Sequence, residues 1–305
     1  MNYDVIIIGS GPAGLTAGIY TTRDRLKTLI LAGTKWGGQL QLTTLIENFP
    51  GFPNGIQGPD LMLAMRKQVE GFGAEIVESD FSSGEFSKPP FKITAGGKEY
   101  VGRSIIIATG TDTQWLGIPG EKEKIGRGVS VCAPCDAPFF KNKKVIVVGG
   151  GNAAMEEALT LANFAEQVTI VYRKEALTRA SQMLQEKVEN NPKIKVLCSS
   201  EIIEVLGKDK VEKVKLKNAK TQKISEMPID GIFVAIKRKP NSEVFRGIEK
   251  DEQGYIKVRE FVKTNIDGIF VAGDVHNKNY QQAITAAGFG AMAGLETKRW
   301  LENQK

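Results

Sequence analysis

Short apolar runs rich in β-branched residues recur along the chain, and most of them end at glycine. The first, in YDVIIIGSGPAGLTAGIY (residues 3–20), stops at Gly9 and gives way to a helical pattern. A short β-branched run that gives way at glycine to a helical pattern marks a strand, a tight turn and a helix. LKTLILAG (26–33) and KEYVGRSIIIATGTDT (98–113) add further strands. KKVIVVGGGNAAMEEALTLA (143–162) repeats the opening arrangement, with Met155 to Ala162 in a helix-favouring pattern, and QVTIVYRKEALTRAS (167–181) supplies the next strand. KTNIDGIFVAGDVHN (263–277) is a counterpart of the 98–113 stretch, since both end at glycine beside a small polar or acidic residue. This alternation over 305 residues predicts an α/β protein with two Rossmann-like dinucleotide-binding domains.

The glycines carry the first chemistry. Gly9, Gly11 and Gly14 stand at G-x-G-x-x-G spacing, and Gly149, Gly151 and Ala154 give the G-x-G-x-x-A variant. In each, the first position makes the turn, the second lets a pyrophosphate approach the backbone, and the third lets helix and strand pack closely. The unpaired N–H groups of the helix N-terminus then face the phosphates. After the first site the chain lacks the acid that holds a ribose 2′-OH about 20 residues on, and Asp24 comes too early. After the second stand Arg173, Lys174 and Arg179. Basic groups there bind a 2′-phosphate, which favours NADP over NAD; ordinary solvated charges are the alternative. Asp274, just past a strand end, suits a cofactor hydroxyl or a surface turn equally.

Composition narrows the class. The chain is 41% hydrophobic and 25% charged, as in a soluble globular protein. No segment approaches the roughly 20 consecutive apolar residues of a membrane span, and no charged leader precedes a cleavable apolar stretch, so a cytoplasmic location is expected. Three cysteines cannot all pair within one chain, which points to a reduced compartment. Cys198, in the apolar run KIKVLC, reads as a buried small hydrophobe. The net charge is +6, but Lys and Arg are interleaved with acids, so the surface reads as solvated rather than nucleic-acid-binding. Such a surface also suits attraction of an acidic protein partner.

Taken in order, the motifs resemble the low-molecular-weight thioredoxin reductases. They are GSGPAG (9–14), GGQL (37–40), ENFPGFP (47–53), ATG (108–110), GRGVSVCAPCD (126–136), GGGNAAMEEA (149–158), GDV (273–275) and QQAITAAG (281–288). The resemblance implies FAD at the first site and NADPH at the second. It implies a discontinuous FAD domain, 1–113 plus 242–305, with the NADPH domain, 114–241, inserted and carrying the cysteine pair. By matching positions it places Gly9, Gly11, Pro12, Ala13, Gly14, Gln39, Asn48, Asp274, Gln282 and Ala283 around FAD. Gly151, Asn152, Ala154, Arg173, Lys174 and Arg179 fall around NADPH. A thioredoxin-like protein partner and a homodimer are implied as well. Several positions depart from the family pattern. Tyr172, Arg173 and Lys174 replace His-Arg-Arg, and Arg179 comes one residue late. KRKPN (237–241) replaces Gly-His-x-Pro-Asn, Gln281 replaces a frequent arginine, and Pro134 replaces threonine. Lysine is a point charge rather than a bidentate fork, which softens the expected NADP preference.

VCAPCDAP (131–138) then poses its question: metal clip, staple or working dithiol. A zinc site needs four ligands, yet there is no second CxxC and the sole histidine, His276, is distant in sequence. A loop this short restrains little unfolded-chain entropy, so a staple is a poor use. Two nucleotide sites supply what a dithiol needs, namely a hydride source and a flavin. In the family, Cys132 and Cys135 match the redox pair and Asp136 the general acid and base; a helix cap is the other role open to Asp136. A flavin-dependent dithiol oxidase working without NADPH is the nearest competing activity, which the intact second fingerprint disfavours. Both the cysteines and the nicotinamide must reach one flavin, so rotation of the inserted domain is expected, as in the family.

Overall fold

The computed structural model describes residues 2–236 and 238–304, so Lys237 of the KRKPN departure lies outside them. The chain divides into two compact units, Met1–Asp112 with Arg238–Lys305, and Thr113–Lys237. Residues 238–241, which the motif order assigns to the inserted segment, group with the first unit for a local reason. Asn241 donates from Nδ2 to the Thr109 carbonyl (3.1 Å) and to Asp112 (3.1 Å), while Thr109 Oγ1 donates to the Asn241 carbonyl (2.7 Å).

In the first unit, Glu75–Val77, Thr28–Leu31, Asn2–Ile8, Lys98–Ile107 and Ile269–Val271 lie side by side as parallel strands. The antiparallel strands Phe91–Ala95 and Phe81–Glu85 extend the sheet from the first half of Lys98–Ile107. Successive side chains of a strand point to opposite faces. Val5, Ile7, Ile30 and Ile106 therefore join one core, and Ile6, Ile8, Leu29, Leu31, Ile105 and Ile107 another. Burial on both faces explains why these strands read as unbroken apolar runs. On one face the helices Pro12–Arg23 and Ala283–Glu302 cross in close contact at small residues. A Cβ at Gly290 would overlap the Ala13 carbonyl, and one at Gly294 would come within 2.8 Å of Tyr20 Cβ.

The second unit repeats this logic with a five-stranded parallel sheet in the order Val129–Ser130, Gly231–Val234, Lys144–Val148, Gln167–Val171, Ile194–Leu197. Val145, Val147, Val168, Ile170 and Phe233 enter one core with the helix Asn152–Ala162. Ile146, Val171, Ile232 and Val234 enter the other, against the antiparallel sheet of Ser200–Leu206, Lys213–Asn218 and Ile224–Pro228. Among the described residues no helix is long and apolar enough to cross a membrane.

Two nearby glycines of the helix Ala283–Glu302 should respond oppositely to alanine. Gly290→Ala forces apart the helix pair and is expected to destabilise the protein by about 1–3 kcal/mol. Gly288 is exposed, and a Cβ there meets nothing within 4 Å, so Gly288→Ala is expected to stabilise by about 0.5–1 kcal/mol. Denaturant unfolding of the two variants checks both signs.

Candidate functional site

The strand Asn2–Ile8 ends in a turn at Gly9, whose φ is 115°, a conformation L side chains rarely adopt. A Cβ at Gly9 would overlap the Ala108 carbonyl, and one at Gly14 would overlap the Gly9 carbonyl. At Gly11 a Cβ would meet nothing within 4 Å. The first and third glycines thus fill backbone contacts, while the middle one leaves an open face at the helix N-terminus. Gly11 is the extended N-cap, Pro12 follows in the first turn, and no side chain caps the helix. Its first N–H groups remain available to an anion. Gly273 packs on Ala13, with an added Cβ 2.9 Å from the Ala13 Cβ, and so brings Asp274 to this cradle.

Other sequence-predicted residues converge here from far along the chain. Asn48 Nδ2 donates to Gln282 Oε1 at 3.2 Å across 234 positions. Gln282 is the N-cap of Ala283–Glu302 in a capping box with Thr285, and Ala283 is the first helical residue. Gln39 Nε2 donates to the Thr111 carbonyl at 3.2 Å. Burial pushes the Asp274 carboxyl up to about 6, and Arg238, 4.0 Å away, works against the rise. Two residues that pattern reading missed hold the loops around this cradle. Ser10 Oγ donates to the Ala32 carbonyl (2.8 Å) and accepts from the Gly37 N–H (3.0 Å). Asp80 accepts from the Thr34 N–H and hydroxyl, both at 2.9 Å, which holds its carboxyl below the usual range. The strand Thr28–Leu31 is not followed in sequence by an acid, but one arrives beside its loop from 46 residues downstream.

The second cradle has the same construction. A Cβ at Gly149 would overlap the Ala235 carbonyl and approach Ala154 Cβ at 2.9 Å, whereas Gly151 faces open space. Gly151 is the extended N-cap of Asn152–Ala162, again without a side-chain cap. Asn152 Oδ1 accepts the Ser181 N–H at 2.7 Å, and Gly151 bridges to Arg179, which places the late arginine beside the fingerprint. Arg173, Lys174 and Arg179 are all exposed, and among the described residues none makes an ion pair. Tyr172 is buried with its ring against Gly150 and does not join them in solvent. Both cradles fit the pyrophosphate of a dinucleotide, because each offers an open glycine face and uncapped N–H donors.

Cys132 and Cys135 form a disulfide at the one-turn helix Ala133–Asp136, with Cα atoms 5.3 Å apart. Ser130, a third residue that pattern reading missed, links the pair to the acid. Its hydroxyl donates to Asp136 Oδ2 at 2.6 Å, and its oxygen accepts the Cys132 N–H at 3.1 Å. Asp136 caps no helix with its side chain. Burial raises its pKa, and the Ser130 hydrogen bond opposes this only in part. The result is a carboxyl able to hold a proton beside two sulfurs. Among the described residues no group of three metal-ligating side chains forms, and Cys198 is free and half-buried, with its thiol pushed up by burial.

Two nucleotide cradles and a closed dithiol on one chain define a class: enzymes that move electrons between nucleotides and sulfur. Residues 3–290 match the pyridine nucleotide-disulphide oxidoreductase family, and the chain belongs to it. A thioredoxin reductase of Rickettsia felis is 47% identical over 303 residues, covering 97% of each chain. A bifunctional thioredoxin reductase/thioredoxin of Mycobacterium leprae is 44% identical over 98% of this chain and 66% of its own. The solved thioredoxin reductase of Streptococcus pyogenes superposes with a TM-score of 0.95 at 38% identity, covering 99% of both chains.

Asp136 has a testable sign. Its folded-state pKa is raised, so its contribution to stability is greatest when it is protonated and falls as pH rises from the ordinary carboxylate range through the raised value. Asp136→Asn is expected to flatten that pH dependence and leave the variant more stable than wild type at pH 7. Thermal unfolding of both proteins between pH 4 and 8 is the check, and an Asn variant less stable at pH 7 contradicts the burial argument.

Proposed function

We propose that this protein is an NADPH-dependent thioredoxin reductase whose working sulfurs are Cys132 and Cys135. The observation that carries the reading is the Cys132–Cys135 disulfide, joined through Ser130 to a half-buried acid in the same unit as the second cradle. Gly9, Gly11, Pro12, Ala13, Gly14, Gln39, Asn48, Asp274, Gln282 and Ala283 would hold FAD in the first unit. Gly151, Asn152, Ala154, Arg173, Lys174 and Arg179 would hold NADPH in the second. Bound FAD supplies the exchange between a two-electron hydride donor and a disulfide.

The chain's own residues account for the remaining chemistry. Reduction of the Cys132–Cys135 disulfide takes two electrons and two protons and gives a dithiol. One thiolate attacks the partner's disulfide, forms a mixed disulfide and expels a partner thiolate. Asp136, whose proton affinity burial raises, donates to the leaving sulfur, and its carboxylate then takes a proton from the second thiol of the pair. That thiolate breaks the mixed disulfide and re-forms the Cys132–Cys135 bond, Asp136 passes the proton it took to the second departing sulfur, and the proton released when the first thiol ionised restores the acid, so the partner leaves as a dithiol. Ser130 orients both ends of this relay. The uncompensated basic residues at 173, 174 and 179 supply charge for a 2′-phosphate. A cytoplasmic location and a homodimer complete the reading, supported by the sparing use of cysteine and by the family resemblance.

Coupled turnover with thioredoxin tests the function directly. Wild type is expected to oxidise NADPH only when an oxidised thioredoxin is present. Cys135→Ser should abolish that turnover while NADPH still bleaches the flavin under anaerobic conditions; bleaching lost together with turnover would point away from a dithiol relay. Asp136→Asn should lower turnover by about 10²-fold with flavin bleaching unchanged. Donor choice has its own readout. Arg173→Ala is expected to lower kcat/KM for NADPH about tenfold or more and leave NADH unaffected, because one charge-assisted hydrogen bond is worth about 1.5–3 kcal/mol.

A further inference from the structure

Arg238 opens the short strand Arg238–Pro240, and its Nη1 lies 4.0 Å from Asp274 Oδ2. The two side chains retain only 19% and 20% of their full exposure, so solvent screens the pair weakly. Asp274 stands on the turn Gly273–Val275, directly after the strand Ile269–Val271, and Gly273 packs on Ala13 of the first fingerprint. The carboxylate therefore belongs to the first cradle, and the guanidinium reaches it from a segment near the end of the chain's second crossing between units.

Among the described residues, the other ionisable groups nearby leave Arg238 as the cation for Asp274. Lys278 is committed to Asp251 at 3.1 Å and lies 5.8 Å from the centroid of the Tyr255 ring. Tyr255 takes a hydrogen bond from Gln281 and feels the charges of Arg238, Asp274 and Lys278, with burial keeping its phenol protonated. His276 packs edge-on to Phe289, 4.5 Å between ring centres, and burial pulls it down to about 4, so it is neutral near pH 7. Gln281, where arginine is frequent in the family pattern, brings no charge. An ionised carboxylate accepts hydrogen bonds at both oxygens, whereas a protonated one gives up part of that capacity. Burial alone drives Asp274 toward the protonated form.

We propose that Arg238 is a positioning residue for FAD, holding Asp274 ionised and oriented as the acceptor for a hydroxyl of the bound dinucleotide. The proposal rests on the assignment of FAD to the first cradle. It makes the Arg238 substitution part of the flavin site, in a chain that lacks the frequent arginine at 281.

The test is reconstitution of full-length apoprotein with FAD, followed by fluorescence titration from pH 6.5 to 9. Arg238→Gln is expected to weaken FAD binding about threefold at pH 6.5, the loss of ionised carboxylate when a pKa of about 6 rises by about one unit, and to converge on wild type to within about 1.5-fold by pH 9. Arg238→Lys keeps the charge and should keep the wild-type pH profile, so it also serves if the Gln variant folds poorly. In an Asp274→Asn background, Arg238→Gln should change the FAD dissociation constant by less than about twofold. Equal weakening at every pH, or the same weakening in the Asn background, overturns the proposal. A pH-dependent loss in Arg238→Lys overturns it too. Wild type that binds FAD no better than Arg238→Gln overturns it alone, whereas wild type that takes up no FAD at any pH overturns the FAD assignment with it.

Discussion

Close approach of strand and helix backbones at a residue without a bulky side chain governs both units. At Gly9 and Gly14, and again at Gly149 with Ala154, any larger group would collide with a neighbouring carbonyl or side chain. That contact places a helix N-terminus directly at the end of a buried strand. Because Gly11 and Gly151 are open on the other side, the same packing that builds the core leaves uncapped N–H donors facing outward. Core and anion site are one construction, since the helix cannot sit closer to the sheet without presenting its first turn there.

The sulfur site follows a different rule, in which function opposes stability. Asp136 is half-buried, makes no salt bridge among the described residues, and is supported by the Ser130 hydroxyl. A carboxyl in that setting is held toward the protonated form, which disfavours the folded state at neutral pH and, on the proposed reading, would give the dithiol a proton donor within its own loop. Asp274 presents the same tension in the first unit, relieved there by a guanidinium. Both acids sit at the edge of a parallel sheet, where burial and chemistry meet.

Much of this architecture is legible in the order of residues. The strand–turn–helix units, the α/β class and the family can be read because their signals are local. A β-branched run ending in spaced glycines has one economical geometry, and it occurs twice. Three features escape such a reading. Ser130 gives no signal of its own, because a serine two residues before a cysteine is ordinary until its hydroxyl is seen bridging Cys132 and Asp136. Asp80 reaches the loop after Thr28–Leu31 from a separate segment, so a search for an acid at fixed spacing passes over it. Residues 238–241 look continuous with the inserted segment, yet the Asn241 and Thr109 hydrogen bonds tie them to the first unit.

The sequence by itself determined what each segment is: which runs are strands, which glycines turn, which cysteines stand a helical turn apart, and which family these belong to. Those properties depend on backbone sterics and side-chain period, which act over a few neighbouring residues. Tertiary structure decided which distant groups share an environment, such as Arg238 with Asp274 and Asn48 with Gln282. Proton affinities went the same way, because burial and the charges that offset it are set by chain segments far apart in sequence and are not written at the position that titrates.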